Sequence, residues 1–118
     1  MAILIRKNLT ASPNPTTLPK RIELSQTLRS TLPEEPITVV YQLAPGHQIW
    51  FKDGDNPPAK SFSRPETVGT TDQICRDRVE LVIGPGTGPI ELVQIDQTIT
   101  DSFGIPQPDL VLVQIQSA

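Results

Sequence analysis

The sequence predicts an all-β domain: an antiparallel β-sandwich, immunoglobulin-like or jelly-roll-like, of about seven to eight short strands, with a small barrel as the alternative closure. Three observations carry this. Apolar residues alternate with polar ones at a period of two over several short runs, most clearly in Ile37–Leu43. No segment keeps helical spacing with caps over three turns. There are 13 prolines in 118 residues, roughly twice ordinary usage, in a chain that is 36% hydrophobic and so too apolar for disorder. The length fits one domain, residues 1–118, with a Pro-rich arm or connector at 10–20.

Ala2–Leu9 reads as a first strand, with Ile3 and Ile5 on one face and Leu4 on the other. Pro13, Pro15 and Pro19 cannot donate to a ladder, so residues 10–20 read as extended connector. Arg21–Leu28 places Ile22, Leu24, Gln26 and Leu28 on one face, a half-buried strand with a short helix as the weaker alternative. Residues 31–36 turn. In the next strand Ile37, Val39, Tyr41 and Leu43 share one face. Ala44-Pro45-Gly46 reads as the tight turn of a hairpin whose second arm is His47–Lys52.

Residues 59–73 read as the longest loop, anchored by Phe62 and divided by a short strand over 59–63. Gln73–Arg78 is ambiguous. Val79–Ile83 is a strand, Gly84–Pro89 a hairpin loop and Ile90–Ile95 the next strand. The apolar set changes phase between Leu92 and Val93, which predicts a bulge, with Gln97–Thr100 continuing beyond a kink. Gly104–Pro108 is a turn. Leu110–Gln116 is apolar on both faces, which predicts a central or doubly covered strand. The prolines are expected between strands rather than within them.

The net charge of −3 argues against a protein built on phosphate contacts. The charge is uneven: residues 1–64 hold eight Lys/Arg against five Asp/Glu, and residues 65–118 hold two against eight. Plain unevenness is the simple reading, and complementary patches meeting between neighbouring copies is the sharper one. No apolar run approaches a membrane span, and the apolar stretch within Met1–Lys7 is short for a signal peptide. A soluble, reducing setting is therefore expected, in a virion if the chain is phage-derived and otherwise cytoplasmic. Cys75 is the single cysteine, so neither an internal disulfide nor a cysteine-based zinc site is expected. Asn8-Leu9-Thr10 matches a glycosylation acceptor only by chance.

The chemical motifs read as ordinary structure. Gly84-Pro85-Gly86-Thr87-Gly88-Pro89 loses two backbone donors to proline and precedes a strand, unlike a phosphate-cradling loop. Asp53-Gly54-Asp55-Asn56 lacks the closing glutamate of a calcium loop, since position 64 is Arg64. His47 and Cys75 form a base and nucleophile only if the fold brings them together. Glu34-Glu35 reads as a solvated turn, and Arg76-Asp77-Arg78 as a run paired with nearby acids. No cofactor and no metal are expected.

The expected function is structural and non-catalytic: a small virion component of a bacteriophage, such as a capsid decoration (cement) protein or a tail or connector subunit. The expected partners are capsid or tail proteins or further copies of the chain in a homo-oligomer, with neither nucleic acid nor membrane. The expected contact residues are Arg6, Lys7, Pro13, Pro15, Pro19, Lys20 and Arg21, lying against a neighbour's acidic surface. A carbohydrate- or other ligand-binding sandwich is the alternative, with Tyr41 or Trp50 as the candidate platform. An accessory subunit of an enzyme is a second alternative.

Overall fold

The structure, a computed structural model, describes residues 4–88 and 90–116. Ala2, Ile3 and Pro89, which belong to the first expected strand and the glycine-rich loop, lie outside the described residues. The strands are β1 (Leu4–Ser12), β2 (Thr16–Thr17), β3 (Lys20–Ser30), β4 (Glu35–Gln42), β5 (Ile49–Lys52), β6 (Ser61–Val68), β7 (Gln73–Ile83), β8 (Leu92–Thr100) and β9 (Pro106–Gln116). No helix occurs among the described residues. The strands form a four-stranded sheet, β1-β3-β7-β5, and a five-stranded sheet, β2-β9-β8-β4-β6. Every pairing is antiparallel except β2 with β9, which makes the second sheet mixed rather than antiparallel.

Period-two alternation accounts for the core. Ile22, Leu24 and Leu28 of β3 and Val79 and Leu81 of β7 face Ile37, Val39 and Tyr41 of β4 and Val93, Ile95 and Ile99 of β8 in one buried cluster. Phe62 adds an edge-to-face contact with Phe51 and a stacked one with Tyr41, at centroid distances of 4.8 and 4.9 Å.

The connections depart from expectation. Ala44-Pro45-Gly46 does turn the chain, but β4 and β5 are not a hairpin. The turn hands the chain to the other sheet, where β5 pairs with β7. Residues 84–88 likewise carry the chain from β7 to β8 across the sheets. That loop docks on the 46–50 segment: Gly84 N–H donates to Gln48 O at 2.8 Å and Thr87 N–H to Gly46 O at 2.9 Å. A Cβ on Gly86, at φ 152°, would collide with the His47 carbonyl.

Much of the expected 59–73 loop is β6, with Phe62 and Val68 inward and Ser61, Ser63, Pro65 and Thr67 outward. The ambiguous 73–78 segment is the first half of β7. No bulge interrupts β8. The phase change at Leu92 is where the strand begins, and Val93, Ile95, Gln97 and Ile99 then alternate inward without a kink. The irregular strand is β1, whose register to β3 shifts between Lys7 and Thr10 around Asn8 at φ 55°.

Pro36, Pro65, Pro106 and Pro108 lie within strands. Each sits where a missing N–H costs little: β6 is a sheet edge, the side of β9 away from β8 is covered only by the two-residue β2 at its far end, and Pro36 precedes the β4 residues that pair with β8.

Candidate functional site

The two sheets turn unlike faces to solvent. Outward positions of the four-stranded sheet include Lys7, Arg21, Glu23, Arg29, Lys52, Arg76, Arg78 and Glu80. Glu23 pairs with both Arg76 and Arg78 at 3.2 Å, and Asp72 accepts from Lys7 at 3.1 Å and lies 3.7 Å from Arg29. Outward positions of β4, β6, β8 and β9 carry one charge among the described residues, Asp96. The rest are Thr, Ser, Gln, Pro and Val, with exposed Leu92, Leu110 and Leu112 (46%, 48% and 46% accessible). So β9 is covered on one side only: Val111 and Val113 are buried while Leu110 and Leu112 face solvent. The β8–β9 turn adds exposed Phe103 and Ile105, whose N–H groups donate to the Asp101 carboxylate at 2.9 and 3.0 Å.

The expected contact arm is tied to its own domain. Asn14 hooks the outer edge of β9, donating to Leu112 O at 3.0 Å and accepting from Gln114 N–H at 2.9 Å. Thr16 and Thr17 then pair with Ile115 and Gln116. Within this arm Pro13 is half-buried, and Pro15, Pro19, Lys20 and Arg21 are exposed. Arg6 is turned inward rather than toward a neighbour. Its guanidinium donates to Gln107 O at 2.8 Å and Gln97 Oε1 at 2.5 Å and lies 3.4 Å from Asp109. Its pKa is lowered mainly by burial, with Asp109 opposing the shift. The basic and acidic halves of the sequence thus pair within one chain, as Lys7–Asp72 and Arg6–Asp109.

Neither expected platform ring is an open surface. Tyr41 is 1% exposed, in the core, because it shares the buried phase of β4. Trp50 is half-buried. Its Nε1–H donates to Pro85 O at 2.8 Å, Gly84 packs against the ring, and the Lys60 ammonium lies 4.2 Å from the ring centroid. Lys60 also donates to the carbonyls of His47 and Ile49, and its partial burial lowers its pKa. The Ile49↔Ile83 pairing puts His47 at the far end of β7 from Cys75, roughly 25 Å along an extended strand. The two do not form a nucleophile and base. Asp53 receives both Arg64 Nη groups, at 2.7 and 2.8 Å, and no group of three His, Cys, Asp or Glu suited to a metal occurs among the described residues.

A polar belt crosses the core, one residue from each of seven strands: Gln26, Tyr41, Asp77 and Gln97 are buried at its centre, Arg6 and Glu66 are half-buried, and Asp109 is exposed at its end. Tyr41 O–H donates to Asp77 Oδ2 at 2.6 Å and accepts from Gln97 Nε2 at 3.1 Å. Gln97 also donates to Gln26 Oε1 and accepts from Arg6. Burial, then the bond to Asp77, pushes the Tyr41 hydroxyl well above its usual range. Glu66 meets Asp77 carboxyl to carboxyl. Burial, then the charge of Asp77, raises Glu66 to about 7. Burial, then Glu66, raises the neighbouring Cys75 thiol to about 12, the opposite of an activated nucleophile.

The belt was not singled out from sequence, yet a signal exists. Gln26, Asp77 and Gln97 occupy the apolar phase of their strands, between Leu24 and Leu28, Cys75 and Val79, and Ile95 and Ile99. Polar residues in a buried phase must find partners, and three strands offering them predict an internal network.

Comparison with models of known protein families and with curated proteins finds no match to this chain.

Proposed function

We propose that this chain is a non-catalytic assembly subunit that docks on another protein through the outer face of its five-stranded sheet. The observation that supports this is the charge asymmetry: Asp96, opposite Leu110, is alone among the described outward residues of β4, β6, β8 and β9, and Leu110 and Leu112 of β9 lie beside Leu92 of β8. Protein interfaces are depleted of charge at their centres, whereas a solvated sheet face ordinarily carries it. Edge pairing by this sheet is the less favoured mode, since Asn14 and β2 occupy part of the β9 edge and Pro65 interrupts the β6 edge. The face spans four strands at about 4.8 Å spacing and about 3.3 Å rise, roughly 500–600 Å² in projection. The accessible area of a corrugated face exceeds its projection, which brings it near the ~800 Å² per partner of a standard interface.

The proposed setting is a virion, as a capsid decoration protein or a tail or connector subunit, because a repetitive shell offers such a face many equivalent partners. The fold reading that goes with it is an immunoglobulin-like sandwich. The neighbours β1-β3-β7 and β9-β8-β4 match the A-B-E and G-F-C order of that fold. The departure is that β5, beside β7, precedes β6, beside β4, in the chain.

The test is Leu112→Arg with Leu110→Glu, read by light scattering and by co-sedimentation with the native particle. The account expects loss of association with thermal stability intact. Undiminished association refutes it.

A further inference from the structure

The edge strands of the two sheets meet along one side of the core. The β5 strand covers only Glu80–Ile83 of β7, so Gln73–Val79 has no strand beyond it, and β6 is the edge of the other sheet. No backbone ladder joins β6 to β7; apart from the short 69–72 connection, whose Gly69 O accepts from Ser30 N–H at 2.7 Å, side chains close this seam. At the Ser61–Arg64 end, Phe62 packs on Phe51 and Tyr41, and Arg64 donates to Arg78 O at 3.2 Å. At the Pro65–Val68 end the closing contact is Glu66 on Asp77, assisted by Gln73 donating to Thr67 O at 3.1 Å.

Two carboxyl groups in contact cannot both be ionised at low cost, because each charge is desolvated and faces the other. Asp77 is 5% exposed and already accepts the Tyr41 hydroxyl at 2.6 Å. One oxygen of Glu66, Oε2, is buried with no hydrogen-bond partner, an expensive position for a carboxylate and a cheaper one for a neutral acid.

We infer that Glu66 carries its proton against the Asp77 carboxylate, and that this proton is a latch closing the Pro65–Val68 half of β6 onto β7. On the alkaline side the proton leaves to water, two carboxylates face each other, and this half of the seam opens. The surroundings favour release over compensation. Cys75 of β7 and Tyr41 of β4 are neutral and held so by burial. Arg64 of β6 offsets the shift of Glu66 only in part, since both its Nη groups bind Asp53. The other acids on this side have their own donors: Glu35 of β4 accepts from Ser30 and Ser102, and Asp101 from Phe103 and Ile105. Arg6 of β1 binds Gln97 and Gln107 at the opposite side of the belt. Glu66 releases its proton at about 7, well above an ordinary glutamate, so the latch works near neutrality.

The sign follows from linkage. A carboxyl raised on folding binds a proton that the unfolded chain has lost, so stability falls as pH rises from the ordinary glutamate range through the folded value, then levels off. The latch does not depend on the docking face, and its test uses the isolated chain. Wild type should lose several degrees of thermal midpoint between about pH 5.5 and 8, while Glu66→Gln, which keeps a donor for Asp77 and has no proton to lose, stays level.

Cys75 reports the opening directly. At pH 8 the wild-type thiol should react with iodoacetamide at least about tenfold faster than in Glu66→Gln, because a carboxyl raised from 4.5 to about 7 and released on opening favours the open form by up to about two orders of magnitude at that pH. Without opening, the order reverses, because removing the anion beside Cys75 favours its thiolate. Asp77→Asn, whose carbonyl still accepts from Tyr41, is the second variant and should also flatten the pH profile. Wild type level across this range, or Glu66→Gln alkylated as fast as wild type or faster, overturns the latch.

Discussion

Tyr41→Phe tests the buried belt at its centre. The substitution keeps the ring, and with it the 4.9 Å stack on Phe62 and the place of Tyr41 in the core. It removes one oxygen that donates to Asp77 at 2.6 Å and accepts from Gln97 at 3.1 Å. The lost bond to Asp77 is charge-assisted, and such bonds contribute about 1.5–3 kcal/mol. Gln97 keeps Gln26 as acceptor, so the second bond adds little. The expected cost is therefore about 2–3 kcal/mol, or roughly 10 °C of thermal midpoint for a domain of this size. Urea unfolding read by tryptophan fluorescence measures it, since Trp50 is the single tryptophan. An unchanged m-value with a lowered midpoint is expected. A change below about 0.5 kcal/mol refutes the reasoning, because a buried carboxylate left with one donor fewer cannot be that cheap.

Gly86→Ala should cost about 2 kcal/mol through its collision with the His47 carbonyl and its backbone angle, while Gly46→Ala, with open space around it, stays within about 0.5 kcal/mol by thermal denaturation. Asn14→Ala should cost about 1 kcal/mol and speed hydrogen exchange at the Gln114 amide, which donates to the Asn14 side chain. Asp53 titrates below the usual range, held there first by the Arg64 hydrogen bonds. Its stabilisation is thus present above the ordinary aspartate pKa and lost as pH falls through the lower folded value. Asp53→Asn should flatten the acid limb of the stability profile below about pH 4 and cost up to about 1 kcal/mol at neutral pH, as expected for a partly exposed pair.

Most strands were legible because alternation is a local signal. In β4, Ile37, Val39 and Tyr41 showed their phase without any knowledge of neighbours. Partnership was not legible, since a tight turn such as Ala44-Pro45-Gly46 serves a hairpin or a crossing between sheets equally well. Only Ile49↔Ile83 decides between them. The β6 strand was hidden because its inward phase holds Phe62, Arg64, Glu66 and Val68, and two charged residues mask the alternation. Arg64 and Glu66 sit there because an edge strand lets one reach solvent-side Asp53 and the other reach across the seam. The docking face was invisible for a similar reason. Its poverty of charge emerges only when four strands from residues 35 to 116 are laid side by side.

Hydroxyl-radical footprinting of the chain, free and in its native assembly, tests the central claim most directly. The account predicts that Leu92, Leu110 and Leu112 are oxidised in the free chain and protected in the assembly, while Ile74 and Val82 on the charged face label equally in both. Protection of Ile74 and Val82 with full labelling of the three leucines contradicts it.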